Sequence, residues 1–146
     1  MSVAIPSDLR FKKIREDFSF LEDWEDRYRY LIDLGASLEL LPNSERTDRN
    51  KVRGCASQVW LWTQRRDDNR LHFVGDSDAH IVRGLVAVVI ALFSDLSPEE
   101  IQDIDTDERL AKLDISEHLS AQRSNGLRSM IKRIKAEARA SITQID

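Results

Sequence analysis

Residues 77–95 read SDAHIVRGLVAVVIALFSD. Between His80 and Ser94 the stretch is apolar almost all round, broken only by Arg83 and Gly84. A helix apolar on every side sits inside a fold rather than on its surface. The segment therefore predicts a buried central helix with the rest of the chain packed around it. Ser77 can cap its N-terminus, and Asp78 suits the positive end of the helix. No apolar run in the chain reaches the ~18 residues that a membrane helix needs.

Immediately upstream, SQVWLWTQ (57–64) crowds β-branched and aromatic residues together. RRDDNR (65–70) is a turn and LHFVG (71–75) a second strand, so the two runs predict an antiparallel hairpin. Downstream, SPEEIQDI (97–104) opens a helix with Ser97 as N-cap and Pro98 in the first turn. In the last helix Leu127, Met130, Ile131, Ile134 and Ala138 follow helical spacing. Arg128, Lys132, Lys135 and Arg139 form a basic stripe beside them, either a solvated face or a docking surface for an acidic partner.

Near the N-terminus, Ser7 is an N-cap for a helix through DLRFKKIREDF, with Leu9, Phe11, Ile14 and Phe18 in rough helical register. A second helix runs from about Trp24 to Glu39, and Gly35 weakens it near its end. LPNSERTDRN (41–50) is a loop of turn formers and charges. The sum is an α+β fold, helices packed on a small antiparallel sheet. With 146 residues and neither repeat nor linker, a single domain over 1–146 is expected.

The chain is 41% hydrophobic and 33% charged, with net charge −4, which argues against a dedicated nucleic-acid binder. The N-terminal residues show no secretory h-region, so a cytoplasmic protein with reduced thiols is expected. The chain has one cysteine, Cys55. It cannot form an internal disulfide, and one thiolate is too few for a zinc site or a cluster. Either it is a small core hydrophobe or it reacts. Gly54 before it allows a tight turn, which puts the thiol where a loop meets a strand. Lys51 and Arg53 lie nearby, and positive charge favours the thiolate.

His72, His80 and His118 share no metal-like spacing. No nucleophile elbow, zincin motif, dinucleotide fingerprint or P-loop is present. A cysteine–histidine hydrolase needs only partners near in space, and a stand-alone thiol redox sensor needs only a reactive thiol. Asp76 and Asp78 serve either as helix-start carboxylates or as site residues. Arg123 and Asn125 stand in a turn ahead of the last helix.

Four segments in this order, RYLIDLG, LLPNSERTDRNKVRGCASQVWL, GDSDAHIVRGLVAVV and HLSAQRSNGLRSMIKRIKAEA, resemble the SufE family of sulfur acceptors. GCASQVW and SDAHIVRGL carry the resemblance most specifically. Ala56 departs from it, since the family commonly has glutamine there.

The resemblance implies a fold like that of the scaffold protein IscU. It also implies a persulfide carrier at Cys55, fed by a SufS-like, pyridoxal-phosphate-dependent cysteine desulfurase that it activates. The sulfur would pass to a SufBCD-type scaffold for iron–sulfur clusters. No cofactor or metal of the chain's own, no nucleic acid and no membrane are implied. Arg123 and Asp76 or Asp78 would lie near the Cys55 loop as supporting residues, with Gly54 as the loop hinge.

Overall fold

The structure is a computed structural model that describes residues 7–115 and 117–143. The segment that decides the fold forms helix α3 (His80–Phe93). Leu85, Val86, Val88, Val89, Leu92 and Phe93 on it are completely buried. Truncating one such leucine to alanine costs about 2–5 kcal/mol, because the cavity left behind collapses only in part.

Helices α1 (Ser7–Phe20), α2 (Trp24–Ala36) and α6 (Ala121–Thr143) pack on α3, and α4 (Pro98–Asp103), followed by α5 (Thr106–Ala111), packs on α6. Strands β1 (Val59–Arg65) and β2 (Leu71–Ser77) form the antiparallel hairpin. Asn69, at φ +67°, turns the chain between them. The register pairs Val59 with Ser77, Leu61 with Gly75 and Thr63 with Phe73. The described residues hold six α-helices, a two-stranded antiparallel sheet and a short 3-10 turn at Asn43–Glu45. This is the α+β class expected from the sequence. No helix among them is long and apolar enough to cross a membrane.

Helices α2 and α3 pack backbone to backbone. A side chain at Gly84 would run into the Leu31 carbonyl, and one at Gly35 would come within 2.8 Å of the Gly84 nitrogen. The two glycines let the helix backbones touch. Gly35 is thus a packing requirement rather than a weak point in α2.

Several helix ends differ from expectation. Ser77 is the last residue of β2, and the α3 N-cap is Ala79, which has no side-chain cap bond. The Ser77 hydroxyl accepts from the Ala79 N–H instead. Ser7 lies within α1, and its buried hydroxyl donates to the Leu92 carbonyl. Helix α2 stops at Ala36, where the Ser37 N–H folds back onto the Leu34 and Gly35 carbonyls. Arg123 and Asn125 lie inside α6, whose first turn is capped by the Ser120 hydroxyl. Ser97 caps α4 as expected, in a reciprocal capping box with Glu100.

Candidate functional site: the Cys55 loop and its cavity

Residues 53–58 form a short loop whose two ends are tied together. The Val52 N–H donates to the Val59 carbonyl and the Leu61 N–H to the Asn50 carbonyl, each at 2.8 Å. These bonds add residues 50–52 to the edge of β1 beyond the hairpin proper. Arg133 on α6 fixes the same arm from below. Its guanidinium donates to the Lys51 and Arg49 carbonyls at 3.1 and 2.7 Å, while its Nε donates to Glu137. The base of the loop is thus held both by β1 and by α6.

The tip lies against α6. Gly54 has φ +91°, a backbone conformation that other residues avoid. A side chain there would also come within 2.6 Å of the Ser129 hydroxyl oxygen. Cys55 follows, half-buried, and its thiol donates to the Gly126 carbonyl at 3.7 Å. Gly126 leaves the thiol room, since a methyl group there would just touch the sulfur at 3.6 Å. Burial pushes the Cys55 thiol above its ordinary pKa. Lys51 and Arg53 do not offset this, contrary to the expectation from sequence. The resting thiol is therefore held neutral.

Asp78 closes the far end of the loop. One carboxylate oxygen accepts from the Gln58 N–H at 3.0 Å and the other from its side-chain amide at 3.5 Å, while the Asp78 N–H donates to the Gln58 carbonyl. Behind the thiol is a cavity of about 590 Å³, lined by Cys55, Ala56, Asp78, His80, Ile81 and Arg123 among others. The Arg123 guanidinium has no hydrogen-bond or ion-pair partner among the described residues. An unpaired cation facing a cavity with a thiol at its edge suits an anionic sulfur species.

The fold agrees with what comparison with known proteins finds. The family described as "SufE: Fe-S metabolism associated domain" matches residues 12–138. The chain belongs to the SufE family. An uncharacterised SufE-like protein of Rhizobium meliloti strain 1021 is 57% identical over 129 residues, covering 86% of this chain and 92% of its own. One of Rhizobium etli is 55% identical over 130 residues, covering 87% and 88%. A hypothetical protein of Thermus thermophilus, solved in solution, superposes with TM-score 0.73 at 18% identity, over 92% of this chain and 97% of that one. At that identity the likeness speaks for the fold.

Within this SufE-family chain, Cys55, Asp78 and Arg123 border one cavity, whereas Asp76 does not line it. Asp76 sits between two arginines, 2.5 Å from Arg46 and 2.8 Å from Arg83. Burial alone raises its pKa. The hydrogen bonds from Arg46 and the Ser77 N–H, with the Arg83 and Arg46 charges, outweigh that and hold the carboxyl below its ordinary value. Arg46 also lies over the Trp60 ring. Asp76 thus joins the 41–50 segment to β2 and α3.

Asp114, Glu117 and His118 bring three exposed ligand atoms within 4.8 Å of one another, and nothing else there points to an ion. The sequence reading missed Arg133 and Gly126. Gly126 carried a signal, a glycine inside a helical run. Arg133 carried none, because its partners are main-chain carbonyls.

Proposed function

We propose that this SufE-family chain is a sulfur acceptor and activator for a SufS-like cysteine desulfurase. It takes persulfide sulfur on Cys55 and passes it to the scaffold, of SufBCD type, on which iron–sulfur clusters are assembled. The observation that carries this reading is the placement of the thiol. Cys55 stands at the tip of a loop fixed at both ends, beside a cavity that also holds the unpaired Arg123 guanidinium. The family's association with iron–sulfur metabolism supports the same reading.

The transfer has the form of thiol–disulfide exchange. The Cys55 thiolate attacks the outer sulfur of the donor's persulfide, and the donor's cysteine leaves as a thiolate. At rest the tip sits against α6, which protects the thiol but keeps it neutral. The tip must therefore turn outward to react. Gly54 is the hinge, since it tolerates a large φ change next to the reacting residue. Asp78 is the latch that holds the resting position. Arg123 holds the anionic outer sulfur once Cys55 is loaded. Asp76 supports the site at one remove, through the Arg46 and Arg83 pairs that fix β2.

The test is desulfurase turnover with free cysteine, with and without this protein. Wild type should raise the rate of alanine release, and Cys55→Ser should fold normally and give no increase. Equal stimulation by Cys55→Ser would exclude transfer through the thiol. Stimulation by neither would remove the activator role for that desulfurase.

A further inference from the structure

Sulfur acceptance requires the Cys55 proton to leave, and in the resting structure no base takes it. The thiol's hydrogen bond goes to the Gly126 carbonyl, which does not hold a proton. Four titratable side chains border the cavity: Cys55, Asp78, His80 and Arg123. Arg123 cannot accept a proton. Asp78 has both carboxylate oxygens bonded to Gln58, and a carboxylate is a weak base.

His80 remains. It is exposed, in the first turn of α3, and its ring has no hydrogen-bond or ion-pair partner among the described residues. The charged groups around it are Asp78 just before it, Arg83 one turn on, and Arg123 across the cavity. Arg83 is bound to Asp76 and to the Ser77 carbonyl, and Asp78 is bound to Gln58. The imidazole is thus unengaged and lines the same cavity as a thiol that needs a base.

We propose that His80 is the catalytic base that takes the Cys55 proton as the loop tip turns the thiol away from Gly126. This rests on the sulfur-acceptor reading. In the step, the Cys55 S–H bond breaks and the proton goes to a ring nitrogen of His80. A bond forms between Cys55 Sγ and the outer sulfur of the donor persulfide. The donor's own S–S bond breaks, and its cysteine departs as a thiolate. Sulfur is conserved, no external oxidant is needed, and the products are a Cys55 persulfide, a donor thiolate and an imidazolium.

The experiment compares wild type with His80→Gln and His80→Ala in two arms. In the first, Cys55 reacts with the small disulfide 4,4′-dithiodipyridine across about pH 5 to 8, where imidazole changes charge. In the second, a SufS-type desulfurase and free cysteine supply the sulfur, and the initial rate of mass gain is read.

The proposal expects both variants to keep the wild-type thermal midpoint and to react at least about tenfold more slowly near pH 7. It expects them to lose the imidazole-dependent limb of the pH profile, and added imidazole to restore the rate of His80→Ala. Wild-type rates and profile in the variants would overturn it. So would slow variants with an unchanged profile and no rescue, which would mark a structural role. If wild type takes no sulfur from the desulfurase, the acceptor reading fails, and the disulfide arm still decides the role of His80.

Discussion

The Cys55 thiol donates to the Gly126 carbonyl across 3.7 Å, so the loop tip rests on the first turns of α6. Because burial raises the thiol's pKa, the native protein should alkylate slowly. With iodoacetamide at neutral pH, Cys55 in the folded chain should react more slowly than in the urea-unfolded chain. Its rate should still be rising above about pH 8.5, the ordinary thiol value. The sign for stability follows. The folded thiol holds its proton more tightly, so its contribution is full below the ordinary pKa and is lost as pH rises through the folded value. Faster alkylation in the folded state would show that the seat on Gly126 is not the resting state.

Asp78→Ala should loosen the loop without unfolding the protein. The substitution removes two hydrogen bonds to Gln58, at 3.0 and 3.5 Å, from an exposed position. At about 0.5–1.5 kcal/mol for the shorter bond, the open state becomes roughly 2- to 10-fold more populated. Cys55 alkylation should accelerate by that factor, with little change in thermal midpoint. Hydrogen exchange across residues 53–58 gives an independent check: protection should fall there and stay unchanged in α3.

Asp76 should matter for stability more than for reactivity. Asp76→Ala leaves Arg46 and Arg83 facing each other without their shared carboxylate, at a cost of about 1–3 kcal/mol. The carboxyl's pKa is lowered in the folded state, so its contribution is present above the ordinary carboxyl value, about pH 4. It is lost as pH falls through the folded value. The wild-type advantage over Asp76→Ala in thermal melts should therefore hold at pH 7 and shrink below about pH 4. An advantage that stays constant into that acid range would contradict this account of the pair.

Gly84→Ala tests the α2–α3 contact. The added methyl meets the Leu31 backbone, which cannot move without shifting α2. Overpacking of this kind costs about 1–3 kcal/mol, and each kcal/mol lowers the midpoint of a chain this size by about 2–4 °C. A melt within error of wild type would mean that the helices separate at no cost.

Much of the fold was legible because its signals are local. The apolar run after His80 marks the core helix, the aromatic and β-branched residues after Ser57 mark a strand, and Ser97 with Pro98 marks a helix start. Helix α5 was not legible: TDERLA offers one large apolar residue, Leu110, within a charged stretch. The pairing of Gly35 with Gly84 was hidden because the two are far apart in sequence.

At the site, Gly54 and Cys55 were legible, because a glycine before a lone cysteine marks a special turn. The state of the thiol was not. Lys51 and Arg53 suggested a thiolate, but closeness in sequence does not fix closeness in space, and burial against α6 sets the direction instead. Asp76 and Asp78 read alike in the sequence. The end of β2 at Ser77 separates them: Asp76, still in the strand, meets Arg46 and Arg83, and Asp78, just beyond it, meets Gln58.

The measurement that tests the central claim most directly is intact-protein mass after incubation with a SufS-type cysteine desulfurase and free cysteine, without reductant. Wild type should gain the mass of one sulfur atom, a thiol reductant should remove it, and Cys55→Ser should gain nothing. A wild-type protein that stays folded, keeps Cys55 free and gains no sulfur would contradict the account.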